Sequence, residues 1–228
     1  MIAHRNRAKV GALLAAFVLL GLGTALLRPL DTADLVAVRI GVPTYASALQ
    51  QVARITAHED SVAVPSGHSI LLLHGQRVPR SVVLFHGVTN SPRQFRAFAE
   101  RLFDQGANVY IPRLPRHAEP GGMHALAVMT AEQLRDCADS AVVIARGLGD
   151  TILVAGLSAG GTMAAWVAQN RPDVKRVVVI APAIELARLP WKLGSPVLRL
   201  AVRLPNLTRQ RARLDTVPDR EDGWTTHG

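Results

Sequence analysis

The chain is poor in several things that whole classes of protein depend on. It has one cysteine, Cys137, in 228 residues. A single thiol excludes an internal disulfide framework and any cysteine-rich zinc site. Aromatic residues make up 4% of the chain, too few for a surface that stacks on exposed bases. Lysine is scarce too: Lys9, Lys175 and Lys192 are the only three, so the formal charge of +9 is carried by arginine. Positive charge alone permits nucleic-acid binding, but no basic and aromatic pattern supports it, and no nucleic-acid partner is expected. Hydrophobic residues are 49% and charged ones 19%. That balance excludes a disordered tail and fits one globular domain, or one and a half.

The N-terminus has no acid. Residues 1–9 carry Arg5, Arg7 and Lys9, and Val10–Leu27 then runs eighteen residues without a charge, up to Arg28-Pro29. A basic start followed by an apolar run is an export signal. A cleavable core is about 7–15 residues and a spanning helix about 17–25, so this run sits at the lower edge of spanning. Residues 1–30 are therefore expected to be a signal-anchor (transmembrane) helix or a signal peptide. Gly23-Thr24-Ala25 offers a cleavage site, and a buried core helix is the plain alternative. Basic residues before the run place the N-terminus in the cytoplasm and the bulk of the chain outside it, anchored or exported. Residues 31–65 read as a linker region, with a helix over Thr44–Ile55 packing on the domain that follows, residues 66–228.

That domain alternates two periodicities. Ser69–Leu73 and Ser81–Phe85 are short apolar runs of the kind buried on both faces of a sheet, and Asn108–Ile111, Thr151–Ala155 and Arg176–Ile180 read as further strands. Between them lie helical patterns. One has Ser91-Pro92 as N-cap and first residue, then Phe95, Phe98, Ala99, Leu102 and Phe103 on one face, and Gly106 beyond its end. Another opens on the capping box Thr130-x-x-Gln133, carries Leu134, Cys137, Ala138, Ala141, Val142 and Ala145 as its stripe, and stops at Gly147. A third runs from Ala159 to Asn170. Strands separated by such helices imply crossovers, hence an α/β class with a mainly parallel sheet flanked by helices.

The chemistry gathers at one turn. Gly156-Leu157-Ser158-Ala159-Gly160 joins a strand directly to a helix. Three fixed residues at about 7% each would match by chance about 0.08 times in such a chain. In this setting the glycines let backbones pass closely and the serine stands on a strained tip above the sheet. The bland alternative is that Ser158 merely caps the helix. Earlier in the chain, Phe85-His86-Gly87-Val88 follows a strand and precedes a helix. An acyl-transfer site needs two main-chain N–H groups for an oxyanion. Ala159 supplies one; Gly87 gives a turn that aims the N–H of Val88 as the other; His86 braces the loop.

His86-Gly87-Val88-Thr89-x-Ser91-Pro92, the loop Pro112-Arg113-Leu114-Pro115, and Gly156-Leu157-Ser158-Ala159-Gly160-Gly161 together resemble the α/β-hydrolase superfamily. Within it they are most similar to bacterial carboxylesterases and monoacylglycerol lipases, over about residues 66–185. The resemblance implies Ser158 as nucleophile, Val88 and Ala159 as oxyanion hole, Gly156 and Gly160 as elbow glycines, and a lid-like segment at 185–214. It implies a small acyl ester as substrate, an acyl-enzyme as intermediate, and neither metal nor organic cofactor. Thioesters and peptides stay open on the same fold.

The family orders its triad as serine, acid, histidine. Here Asp215, Asp219, Asp222 and His227 are the late candidates, and no pair of apolar strands separates them, so the acid and base are not identifiable. The C-terminal strands of the fold are apparently missing, and a fragment or an inactive truncated hydrolase is the expectation. A non-catalytic anchored protein that holds an acyl ligand is the rival. His117 and His124, flanking Pro120-Gly121-Gly122, are expected to be solvated, with a substrate role as the alternative. From Leu186 to Leu214 there is no acid but seven basic residues, a pattern suited to leaning on anionic lipid.

Overall fold

The computed structural model describes residues 2–27, 31–38 and 41–184. Helix α1 covers Ile2–Leu27. Leu13, Leu14, Phe17, Val18, Leu19 and Leu20 along it are each more than 60% exposed. Taken over the described residues, no helix is long and apolar enough to cross a membrane; the charge-free run includes positions whose side chains are not described.

The sheet has five strands: β1 (Ile70–Leu72), β2 (Val78–Phe85), β3 (Ala107–Ile111), β4 (Gly149–Leu157) and β5 (Arg176–Ile180). Their order is β1-β3-β2-β4-β5. All pairs are parallel except β1 with β3. The parallel joins are crossovers through α3 (Arg96–Asp104), α5 (Ala131–Leu148) and α6 (Ala159–Asn170), as the alternating pattern requires. The α/β reading therefore holds.

Strand alternation divides the core between two faces. Val83, Phe85, Tyr110, Ile152 and Val154 pack with residues of α5 and α6. Val82, Leu84, Val109 and Ile111 pack toward Ala99, Leu102 and Phe103 of α3. Asn108 is fully buried in β3 and satisfied: its Nδ2 donates to Leu148 O at 2.9 Å and to Gln76 O at 2.8 Å, and its Oδ1 accepts from His74 N at 2.9 Å.

Helix α2 is longer than expected, Tyr45–Val62, with Thr44 as its cap: Thr44 Oγ1 accepts from Ser47 N at 3.1 Å. It lays Ala48 and Val52 into the same core as α5. Segment 31–38 is strapped to the domain as well. Trp166 Nε1 donates to Leu35 O at 2.6 Å, Val38 N donates to Asp139 Oδ2 at 3.1 Å, and Arg135 donates to the carbonyl of Asp34.

Three local expectations change. Ser91 makes no side-chain cap, and a 3-10 turn over Pro92–Phe95 precedes α3. Phe98, placed on the buried stripe, is half exposed. Gly147 does not stop α5, which runs on to Leu148. A Cβ there would sit 2.6 Å from Ala48 Cβ and 2.8 Å from Thr44 O, so that glycine lets α2 lie close. The capping box is present as expected, with Thr130 and Gln133 bonding reciprocally.

Candidate active site

Strand β4 ends at Leu157 and α6 begins at Ala159, leaving Ser158 alone to make the reversal. Its φ of 56° and ψ of −117° lie where side chains are strained, by about 1–3 kcal/mol. Three main-chain bonds hold it there. Ser158 N donates to Ile180 O at 3.0 Å, and Ser158 O accepts from Thr162 N at 3.0 Å and Ala183 N at 3.2 Å. The hydroxyl makes no cap bond to α6, and the residue is half-buried. The capping alternative is thus not what the structure displays.

Glycine is forced around that serine by crowding. A Cβ on Gly156 would fall 2.0 Å from Gly160 O, and one on Gly160 would fall 2.1 Å from Phe85 O. Gly161, not among the expected elbow residues, has the same constraint: its Cβ would meet Ile180 O at 2.8 Å. A doubled glycine at a strand–helix turn is the signal that marks it.

The second loop arrives from the neighbouring strand. β2 pairs with β4 up to Phe85 opposite Gly156, so the residues after both strands emerge together. A Cβ on Gly87 would lie 3.6 Å from Ser158 Cβ. Gly87 opens the turn expected there, over Val88 and Thr89, without a positive φ. Gly87 N donates to Gln94 Oε1 at 2.8 Å, and Gly87 O accepts from Asn90 N at 3.1 Å. Gln94 is a further support that no motif flagged.

His86 braces this loop from beneath, fully buried. Its Nε2 accepts from Leu114 N at 3.2 Å, so the proton sits on Nδ1, which donates to Gly87 O at 2.9 Å. Burial pushes its pKa down to about 4; the Gly87 bond opposes this, and neighbouring His117 and Arg113 reinforce it. The ring is neutral at physiological pH. With the Gly87 carbonyl held and the peptide bonds trans, the Val88 N–H is turned the opposite way. Among the described residues no protein group accepts from that N–H. Ala159, first in α6, has an N–H with no partner inside the helix. The structure thus brings Ser158, Ala159, Gly87 and Val88 together at the C-terminal ends of the adjacent strands β2 and β4, with His86 behind them.

His117 is a correction. It was expected in solvent but is buried, whereas His124, in the short helix α4 (Met123–Leu126), is exposed. Arg116 and Ala118, on either side of His117, have φ of 63° and 57°, which non-glycine residues adopt at a cost.

No general base appears among these groups. Both ring nitrogens of His86 are hydrogen-bonded to main-chain groups, and both of His117 face main-chain carbonyl oxygens rather than Ser158, so neither ring is placed to take the proton of Ser158. Asp215, Asp219, Asp222, His227 and the lid-like segment lie outside the described residues. A cleft of about 620 Å³ lies between α2, α5 and the loop after β3, with Arg54, Glu59, Arg113 and Glu119 in its walls. None of its lining comes from the elbow or from 86–91.

A strand–serine–helix elbow beside a histidine–glycine loop, on a mainly parallel sheet, defines an α/β hydrolase. The profile of the family described as serine aminopeptidase, S33, matches residues 76–223, and the chain belongs to that family. It is 32% identical over 119 residues to the thermostable monoacylglycerol lipase of Bacillus sp. (strain H-257), covering 50% of this chain and 44% of that one. It is 34% identical over 92 residues to the pyrethroid hydrolase of Sphingobium wenxiniae, covering 40% and 31%. Among solved structures, one from a study of the metagenome-derived lipolytic enzymes LipS and LipT superposes with a TM-score of 0.41 at 27% identity, over 49% of this chain and 44% of that one. The chain spans less than half the length of the curated relatives it matches.

Proposed function

We propose that this protein is a serine hydrolase that cleaves carboxylic esters through an acyl-enzyme on Ser158. The observation that carries the reading is Ser158 itself: a left-handed, half-buried serine whose hydroxyl caps nothing, 3.6 Å from where a Gly87 side chain would begin. Its Oγ would attack the ester carbonyl, its proton passing to a base outside the described residues. The carbonyl oxygen would gain charge facing the N–H groups of Val88 and Ala159. Collapse of that intermediate expels the alcohol, and water then releases the acid by the same route. The two curated relatives, a monoacylglycerol lipase and a pyrethroid hydrolase, support an ester over a peptide or thioester as substrate.

Helix α1 is read as an anchor that holds the domain at a membrane, on the non-cytoplasmic side. The charge-free run and its exposed leucines support this. The lack of a base among the groups described around Ser158 favours one rival, a protein that binds an acyl ligand without turning it over. A fluorophosphonate probe separates the two, because only an activated serine displaces its fluoride. The full chain is expected to label, and Ser158→Ala to label no longer. A folded chain that stays unlabelled overturns the hydrolase reading.

A further inference from the structure

The geometry points to His117 as a positioning residue for the oxyanion loop, holding Val88 through its carbonyl; the assignment rests on the hydrolase reading above. The buried ring of His117 spans two loops. Its Nε2 lies 2.8 Å from Val88 O and its Nδ1 lies 2.9 Å from Pro115 O. Both partners are carbonyl oxygens, which only accept, so a neutral ring donates to one of the two, and the Val88 contact is a bond only if Nε2 carries a proton.

The consequence for Val88 comes from counting peptide planes. The plane before it is fixed by the Gly87 carbonyl, which accepts from His86 Nδ1 and Asn90 N. The plane after it is fixed by His117 Nε2. With both planes tied, the φ and ψ of Val88 are set, and so is the direction of its N–H. Without His117 only the first tie remains. Tightness of this order matters where a donor must meet a developing charge.

The anchor end of the clamp is itself built rigidly. Leu114 N donates to His86 Nε2 at 3.2 Å, and Arg113 Nη1 donates to His117 O at 2.7 Å. The two rings meet edge to face with centroids 5.0 Å apart. Arg116 and Ala118 hold left-handed backbone on either side of His117, and Ala118 O accepts from Val64 N at 2.9 Å. The loop after β3 is thereby pinned at several points and presents one ring nitrogen to the loop after β2.

Two near-isosteres test this in the full chain. The glutamine amide nitrogen reaches the place of Nε2, whereas that of asparagine reaches only the place of Nδ1. His117→Asn is expected to slow fluorophosphonate labelling of Ser158 about tenfold, and His117→Gln to restore most of the rate. Equal rates for the two variants overturn the assignment, since a ring that merely fills space would not distinguish them. Deuterium exchange over 87–91 gives a readout independent of the nucleophile. It is expected to quicken about tenfold in His117→Asn with α5 unchanged. If wild-type protein fails to label, the hydrolase reading falls, while this exchange pattern still decides whether His117 ties the loop. Should His117→Asn not fold, long-range proton–nitrogen spectra of the wild type decide: a proton on Nε2 is expected, and a bare Nε2 overturns the proposal.

Discussion

Two loops meet at Ser158, and they are shaped by different means. The elbow is shaped by what is missing. Gly156, Gly160 and Gly161 stand where a methyl group would strike main-chain oxygens, so the strand, the turn and the helix close on one another without side chains between them. The oxyanion loop is shaped by what is present. Its glycine has room for a Cβ, and its course is set by hydrogen bonds with His86, His117 and Gln94. Steric closure fails all at once, while a hydrogen-bonded loop loosens bond by bond. The first region should therefore report on folding and the second on function.

The sharpest way to break that contrast is a matched pair of substitutions. Gly160→Ala drives a methyl to 2.1 Å from Phe85 O and 2.6 Å from His86 O. Backbone oxygens at and just past the end of β2 cannot step aside, and a loss of about 3–5 kcal/mol in urea unfolding is expected. Gly87→Ala meets nothing closer than 3.6 Å. Its stability is expected to change by less than about 1 kcal/mol, while the new methyl beside Ser158 Cβ slows fluorophosphonate labelling. Equal destabilisation by the two would erase the distinction.

Acid sharpens it next. Folded His86 titrates near pH 4, against about 6.5 when unfolded. Between those values the unfolded chain binds a proton that the folded chain refuses, so stability falls as pH falls from about 6.5 and levels below about 4. The full effect is about 3 kcal/mol. Other groups also titrate in this range, so the comparison is with His86→Asn, which keeps a donor toward Gly87 O. The gap in unfolding free energy between wild type and variant should narrow by that amount from pH 7 to pH 4. A gap that stays constant would mean that the ring is not buried neutral.

What could be read in advance follows the same division. The five strands, the capping box at Thr130 and the helix from Ala159 to Asn170 are written in local periodicity, and the structure has them near where the pattern places them, though β1 is only half-buried where both faces were expected to be covered. The elbow was legible because steric necessity leaves glycine as the only residue that fits. His117 was not legible. Its burial comes from a loop packed between Val64–Gly67 and the residues after β2, and no local pattern separates a buried loop histidine from a solvated one. Gly147 misled for a related reason. A glycine near a helix end reads as a stop, yet this one is needed by α2, about a hundred positions earlier in the chain. The segment at 31–38 shows the same thing: its ties to Trp166 and Asp139 cross most of the domain.

The smallest expected effect runs against the usual direction of mutation. Ser158 holds φ of 56° with ψ of −117°, a conformation that only glycine adopts without strain. Ser158→Gly relieves that strain but loosens the unfolded chain, which offsets part of the gain. A net stabilisation of about 1 kcal/mol is expected. Ser158→Ala is the necessary companion. It removes the same hydroxyl but keeps the Cβ, so labelling disappears in both variants while only the glycine gains stability. Calorimetry of the pair then separates the cost of holding a side chain on this turn from the loss of its oxygen. A glycine variant no more stable than the alanine one would show that the elbow is shaped by its flanking glycines alone, with no strain carried at the serine.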